Sequence, residues 1–192
     1  IVGVIMNKVL GEKVDYISDF ARRGLKRKGL DLLGVIPLQP ILCKPTMDVI
    51  RDELQAQMLN APAQFNGLVD EVVLGSMGVH NAINYFKHGV LLITAGDRED
   101  ILLAVASTRY GRPGESLAGI ILTRRLRPGP SVLKAIQEFP FPVLLVKGDS
   151  YEVASRVHDL TVKTRAHDTE KISLIRDLIA KHVDVQRILK AL

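Results

Sequence analysis

The sequence predicts an α/β protein with a mainly parallel sheet, and three observations lead to this fold class. Short apolar runs rich in valine, isoleucine and leucine recur along the chain, as is typical of strands buried on both faces of a parallel sheet. Stretches with helical spacing of apolar residues separate these runs. The connections are short, so parallel strands joined by right-handed crossovers are the simplest topology.

The first block, residues 1–60, shows a β-α-β-α order. Residues 1–6 are almost all apolar and predict a strand buried on both faces, followed by a helix over 14–28 and a short strand over 32–36. Thr46 is the expected N-cap of the next helix. Since a doubly wound sheet does not usually begin in its middle, we expect this block to be the end of a larger domain.

The second block, residues 66–162, follows a predicted linker over 60–64. Its expected strands lie at 69–74, 89–94, 117–122 and 142–146, and its expected helices at 79–86, 98–107, 131–139 and 151–159. Residues 163–192 predict a helical tail, with a polar connector, a helix over 168–181 and a short docking helix.

Composition and charge exclude several classes of function. The net charge is +5, but lysine and arginine are spread along the chain, aromatic residues make up only 5% and tryptophan is absent, so no nucleic-acid partner is expected. No apolar run reaches the roughly 18–20 residues that span a bilayer, and no signal-peptide pattern opens the chain, so no membrane partner is expected. The single cysteine, Cys43, precludes an internal disulfide and favours a cytoplasmic location.

The residue patterns of common active sites are absent from the sequence. It contains no Gly-x-x-x-x-Gly-Lys-Ser/Thr phosphate loop, its histidines fall at no metal-ligand spacing, and no serine lies in a nucleophile elbow. We therefore expect no catalytic residue, no metal site and no enzymatic activity in the chain as it stands.

Polar residues collect where the predicted strands end, and ligands of open parallel sheets bind beyond these carboxyl ends. The candidate ligand-binding residues are Ser76, Thr94, Gly96, Asp97, Arg98, Asp100, Thr123, Arg124, Asp149 and Ser150. Helix capping is the simpler alternative for Asp97, Asp149 and Ser150. Arg98 opposes the dipole of the helix it begins, so we expect it to have a partner, either a local carboxylate or an anionic ligand.

The stretch Leu-Leu-Ile-Thr-Ala-Gly-Asp-Arg-Glu-Asp-Ile, residues 91–101, resembles the signature of the DRTGG domain family, and residues 73–77, 119–123 and 142–146 are similar to its other strands. The resemblance implies a three-layer α/β/α sandwich around a mainly parallel sheet, like the amino-terminal domain of HPr kinase. It also implies a non-catalytic regulatory or oligomerisation module of a phosphotransacetylase-like protein. Such a module would form a homodimer or a higher homo-oligomer, and its candidate ligands are a small anionic metabolite or a nucleotide.

One departure from the family's pattern concerns the turn after the third strand of the second block. Thr123-Arg124-Arg125 stands where the family has Thr-Gly-Gly. Glycine permits a positive φ or a close backbone approach, and arginine adopts neither easily. Two interpretations follow: Arg124, Arg125 and Arg127 join Arg98 as an anion-binding rim, or they are ordinary surface arginines of a loop.

The first block resembles the carboxyl-terminal part of a dethiobiotin-synthetase-like P-loop domain, through residues 3–9, 33–37 and 45–46. The resemblance implies that Asn7 contacts the nucleotide base in an intact parent protein, whose phosphate loop would lie upstream of Ile1. The alternative function is therefore part of an ATP-dependent enzyme. A third hypothesis is a purely structural dimerisation domain in which Arg98 and Asp97 form an internal ion pair.

Overall fold

The computed structural model describes residues 1–62, 65–107, 116–162, 164–166 and 168–191. In chain order its strands are β1 (Val4–Val9), β2 (Leu32–Pro37), β3 (Gln57–Met58), β4 (Glu71–Leu74), β5 (Val90–Ala95), β6 (Gly119–Thr123) and β7 (Val143–Leu145). Its α-helices are α1 (Val14–Lys26), α2 (Pro40–Cys43), α3 (Met47–Leu54), α4 (Val79–Ala82), α5 (Glu99–Ser107), α6 (Pro130–Ile136), α7 (Ser150–His158), α8 (Thr169–His182) and α9 (Val185–Leu189), with 3₁₀ turns at Gly11–Lys13 and Ile83–Tyr85. None of the described helices is long and apolar enough to cross a membrane.

The chain divides into two compact units that differ from the predicted blocks 1–60, 66–162 and 163–192. One unit combines Ile1–Cys43 with Lys163–Leu192, and the other is Lys44–Val162. The tail joins the first unit because α8 and α9 pack against β2 and the Asp184 amide donates a hydrogen bond to the Leu33 carbonyl. We refer to the two units as the first unit and the DRTGG-like unit.

In the first unit, β1 and β2 form a parallel pair joined through α1. The predicted β-α-β order is therefore found. The expectation that the first strand is buried on both faces is wrong, because none of the β1 residues is buried and β2 is its only partner strand among the described residues.

The DRTGG-like unit contains a five-stranded sheet in the order β3-β7-β6-β5-β4. The predicted strands correspond to β4, β5, β6 and β7, which are parallel to one another, whereas the unpredicted β3 pairs antiparallel with β7. Successive residues of a strand point to opposite faces. Thus Leu92 packs in the apolar cluster of α5 and α6, and Leu91 packs in the cluster of α3 and α7. The result is a three-layer α/β/α arrangement.

Residues 44–60 belong to the DRTGG-like unit because they are packed into it. Met47 and Ile50 of α3 are fully buried against the sheet, and Thr46 holds the N-cap position, although its hydroxyl bonds to the Asp48 side chain instead of a backbone N–H. Asn60, which opens the predicted linker, is buried. It accepts a hydrogen bond from the Val143 amide at 2.8 Å and donates one to the Phe141 carbonyl at 2.9 Å. Residues 63 and 64 of that linker lie outside the described residues.

Candidate functional site

The loops that follow β4, β5, β6 and β7 lie along one edge of the sheet, here called the strand-end edge. This placement follows from the parallel alignment of the four strands. Contacts between neighbouring loops join them into one surface. Arg98 bonds to the loop after β4, Gly96 abuts the backbone of Leu126, and the Arg124 amide donates to the Gly148 carbonyl at 2.9 Å.

Arg98 has a local carboxylate partner, and that partner is Asp100. Its Nε and Nη2 atoms donate to the two Asp100 oxygens, each at 2.8 Å, which is the bidentate geometry that makes such pairs strong. The hydrogen bond raises the pKa of Arg98 and lowers the pKa of Asp100. The carboxylate that forms hydrogen bonds with Arg98 is therefore Asp100, while Asp97, named in the hypothesis of an internal ion pair, contributes a smaller electrostatic attraction that also raises the pKa of Arg98.

The remaining donors of Arg98 hold the neighbouring loop. Nη1 donates to the Gly75 carbonyl and Nη2 to the Met77 carbonyl, each at 2.9 Å. Thr94 is buried beside them and its hydroxyl lies 3.3 Å from the same Gly75 oxygen. Arg98 therefore links the loop after β5 to the loop after β4, and its Nε, Nη1 and Nη2 atoms all form hydrogen bonds within the protein.

Ser76 and Asp97 are exposed on the strand-end edge, whereas Gly96 is buried. A Cβ added to Gly96 would lie 2.6 Å from the carbonyl carbon of Leu126 and closer still to its oxygen. Gly96 is thus required for the close approach of two loops, which is a structural role for a predicted ligand residue.

The turn Thr123–Leu126, here called the arginine turn, has a conformation that usually demands glycine. Arg124 has a φ of 61° and Arg125 a φ of 55°, and the Leu126 amide donates to the Thr123 carbonyl at 3.3 Å. Two central residues with positive φ and this hydrogen bond define a type I′ turn. The left-handed conformation costs an L-residue about 1–2 kcal/mol. The two arginines therefore adopt a positive φ at the positions where the resembled family has glycine, despite this cost.

Arg125→Gly is expected to raise the free energy of unfolding by about 0.5–1 kcal/mol, because the relief of left-handed strain exceeds the entropic cost of glycine. Arg124→Gly should act in the same direction. Urea denaturation of the whole chain measures both. Arg127→Gly is the control, since the φ of Arg127 is not positive, and a similar gain for this control would contradict the explanation.

Asp149 caps α7, as the simpler alternative proposed. Its Oδ1 accepts hydrogen bonds from the Tyr151 and Glu152 amides, each at 3.0 Å. The Glu152 amide is the larger cause that lowers the pKa of Asp149. Thr123 and Ser150 meet across the edge with their hydroxyl oxygens 3.1 Å apart. Asp149 also lies 4.0 Å from an Arg124 nitrogen. Thr123, Arg124, Asp149 and Ser150 are therefore close to one another at the strand-end edge.

A cleft of about 670 Å³ beside the arginine turn was missed by the sequence analysis. We call it the cationic cleft; its lining consists of Leu54, Gln55, Gln57, Arg125, Arg127, Leu145, Val146, Lys147, Gly148, Glu152, Val153 and Arg156. Three of its cations could have been found from the sequence. Arg125 and Arg127 lie in or beside the arginine turn, and Lys147 directly follows the predicted strand over 142–146. No such indication in the sequence pointed to Arg156.

Two further expectations concern Asn7 and metal binding. Asn7 lies in β1 of the first unit, is exposed, and accepts a hydrogen bond from the Lys8 amide at 2.8 Å. Among the described residues, no group of three or more histidine, cysteine or carboxylate side chains could hold a metal ion.

Comparisons with known proteins give a consistent family signal. The family model of the DRTGG domain matches residues 49–160. A phosphate acetyltransferase of Pseudomonas aeruginosa is 32% identical over 97% of this chain and 28% of its own length. One from Nitrosomonas europaea is 29% identical over 99% of this chain and 28% of its own length. The chain thus spans little more than a quarter of these curated relatives.

A solved structure shares the fold. It contains the CBS and DRTGG domains of the regulatory region of a Clostridium perfringens pyrophosphatase, complexed with an activator, diadenosine tetraphosphate. Its TM-score is 0.50 at 14% identity, and the match covers 93% of this chain and 86% of that one.

Proposed function

The chain belongs to the DRTGG domain family, and from this we propose that the DRTGG-like unit is a non-catalytic regulatory module that binds a small phosphate-bearing metabolite or nucleotide. The arginine turn is the observation that carries the proposal. Two exposed arginines occupy left-handed positions at the strand-end edge, where glycine would avoid the strain. Backbone strain of this kind clusters at active sites and ligand-binding sites, where the surrounding structure holds it in place.

Two of the comparisons with known proteins support this proposal. Similarity to phosphate acetyltransferases over 28% of their length supports a module of a phosphotransacetylase-like protein. The activator of the C. perfringens regulatory region is a nucleotide rich in phosphate, which motivates testing nucleotides on this chain. Acetyl transfer itself forms no part of the proposal.

A thermal-shift panel tests ligand binding by the whole chain. The ligands are ATP, ADP, acetyl phosphate, coenzyme A, NADH and inorganic pyrophosphate, with sodium chloride at matched ionic strength as the control. A ligand at 100 times its Kd stabilises the folded state by about 2.7 kcal/mol, so at least one ligand should raise the Tm by several degrees. No shift with any ligand beyond the salt control would overturn the proposal.

Self-association is a second candidate function, favoured by the edge strand β4. Val72 and Leu74 on this strand are 38% and 39% exposed, and β4 has a partner strand on one side only within the described sheet. An open edge of this kind can pair with a second copy. Light scattering over a range of concentrations separates the alternatives, because a strict monomer would remove this candidate.

The first unit supports an alternative proposal, a part of an ATP-dependent dethiobiotin-synthetase-like enzyme. Its parallel β1-α1-β2 order and the exposed Asn7 are compatible with a base-binding side of such a domain. The sequence upstream of Ile1 in the parent protein is the observation that tests it. A phosphate loop there would support the alternative, and its absence would remove it.

A further inference from the structure

The cationic cleft has the size of a small-molecule site, and its described lining residues all belong to the DRTGG-like unit. Its volume of about 670 Å³ falls inside the roughly 300–1,000 Å³ range of ligand pockets. The ends of α3 and β7, the first turns of α7, the arginine turn and β3 all contribute lining residues. Five different segments therefore converge on one concave surface.

The charge on this surface is strongly unbalanced. Among the described lining residues, Arg125, Arg127, Lys147 and Arg156 are positive and one, Glu152, is negative, so their formal charge is +3. Glu53, which lies outside the lining, pairs with Arg156 at 3.4 Å. Within the described parts of the chain, no carboxylate forms an ion pair with Arg125 or Lys147. Concentrating like charges in one concavity is unfavourable unless a counterion binds, and it raises the local concentration of anions.

Several of these cations are held in place by the fold. The turn that carries Arg125 is fixed to the end of β7 by the hydrogen bond from the Arg125 amide to the Val146 carbonyl, at 2.8 Å. Arg127 donates to the Gln57 side chain at 2.8 Å, and Arg156 bonds to Glu53 at the end of α3. A ligand would meet positive groups that are already positioned, which lowers the entropic cost of binding.

The lining also restricts the class of ligand. Among the described residues that line the cleft, none is a tyrosine, phenylalanine or tryptophan on which a nucleotide base could stack. Its neutral polar groups are the side-chain amides of Gln55 and Gln57, and its apolar part is aliphatic, from residues such as Leu54 and Val153. Guanidinium groups match phosphate oxygens in geometry as well as charge.

We propose that the cationic cleft binds a compact polyanion of the diphosphate class through Arg125, Arg127 and Lys147, without reading a base. This inference rests on the proposed regulatory function and deepens it by naming the site and the ligand chemistry. Inorganic pyrophosphate, a phosphorylated metabolite and the diphosphate of a nucleotide share this chemistry. Adenosine and ADP, used beside pyrophosphate, distinguish these sources.

Calorimetric titration of the whole chain with inorganic pyrophosphate at constant ionic strength tests the site. Lys147→Ala removes a cation and should weaken binding about ten-fold, whereas Glu152→Gln removes the carboxylate and should tighten binding about three-fold. Lys134→Ala is the matched control, because Lys134 is exposed on α6, on the opposite face of the sheet, and its removal should leave affinity unchanged. ADP should bind within about three-fold of pyrophosphate, and adenosine should not bind.

Each contrary outcome overturns a specific statement. If wild type binds pyrophosphate and the Lys147 and Glu152 variants bind it equally well, the site is wrong although the regulatory proposal stands. An equal loss in Lys134→Ala would show diffuse charge attraction instead of a site, and ADP binding much more tightly than pyrophosphate would overturn the ligand class. If wild type binds no ligand of the earlier panel, the proposed function fails as well.

Glu152→Gln also guards against misfolding as an explanation. Because misfolding would weaken binding, a gain of affinity in this variant cannot arise from it.

Discussion

Gly96→Ala is expected to lower the free energy of unfolding by about 3 kcal/mol, the upper end of the usual cost of overpacking. The added Cβ would lie 2.6 Å from the Leu126 carbonyl carbon and even nearer to its oxygen. Backbone has to move to relieve this contact, and the neighbouring turn is fixed by the hydrogen bonds of the Arg124 and Arg125 amides to Gly148 and Val146. Urea denaturation of the whole chain measures the loss.

Gly78→Ala is the matched control for this substitution. A Cβ at Gly78 would meet no atom within 4 Å, so no overpacking is expected; because Gly78 is the N-cap of α4, the substitution should cost about 1 kcal/mol or less. Equal stability of the two variants would show that the loops after β5 and β6 separate freely, which would contradict the description of the strand-end edge as one connected surface.

Arg98→Ala is expected to cost about 2–3 kcal/mol at neutral pH, because charged hydrogen bonds to partly buried carbonyls are among the stronger ones. The substitution leaves the Gly75 and Met77 carbonyls without this donor and removes the partner of Asp100. Thermal unfolding measures the loss. Arg23→Ala is a suitable control, since its pair with Asp19 is two-thirds exposed on both sides and should contribute less than about 1 kcal/mol.

The Arg98–Asp100 pair also predicts a pH dependence of stability. The pKa of Asp100 is lowered in the folded state, chiefly by its hydrogen bond with Arg98. A lowered carboxyl pKa contributes stability that is complete above the unfolded value of about 3.9 and is lost as the pH falls through the folded value. The difference in free energy of unfolding between wild type and Arg98→Ala should therefore become smaller below about pH 4. When both proteins also carry Asp100→Asn, this difference should no longer change in that pH range. A difference that stays constant down to pH 2 in the proteins with Asp100 would contradict the role of the pair.

The parallel strands of the DRTGG-like unit were predictable because each contains a short apolar run, which is buried in β5, β6 and β7 and mostly exposed in β4. Strand β3 was not, because Gln57 and Met58 are exposed and only their pairing with β7 makes them a strand. Asn60 looked like the start of a linker, since no local pattern reveals a buried amide that bonds to residues about eighty positions later.

The sequence predicted that the polar clusters meet at one edge of the sheet, but it predicted few of the contacts that they form there. The strand ends did bring the polar clusters together, as parallel topology requires. The partner of Arg98 is two residues away, a spacing that depends on the local turn and not on helical periodicity. The cationic cleft depends on pairs such as Gln57 with Arg127 and Glu53 with Arg156, which are 70 and 103 residues apart. Only the folded chain brings such residues together.

The arginine turn departs from the family's pattern because it has arginines in place of two glycines. Glycine at two consecutive positions permits a positive φ at both, and the structure has a positive φ at both positions with arginines. The surrounding hydrogen bonds therefore determine the conformation of the turn. The side chain at Arg125 needs a separate explanation, which the proposed ligand provides, whereas Arg124 lies outside the cationic cleft and 4.0 Å from Asp149.

Arg125→Gly tests that explanation most directly, with urea denaturation and pyrophosphate titration made on the same preparation. We predict a protein that is more stable by about 0.5–1 kcal/mol and binds pyrophosphate about ten-fold more weakly, because glycine relieves the strain and removes a cation from the cleft. A variant that gains stability and binds pyrophosphate as tightly as wild type would contradict the claim that the strained arginine serves ligand binding.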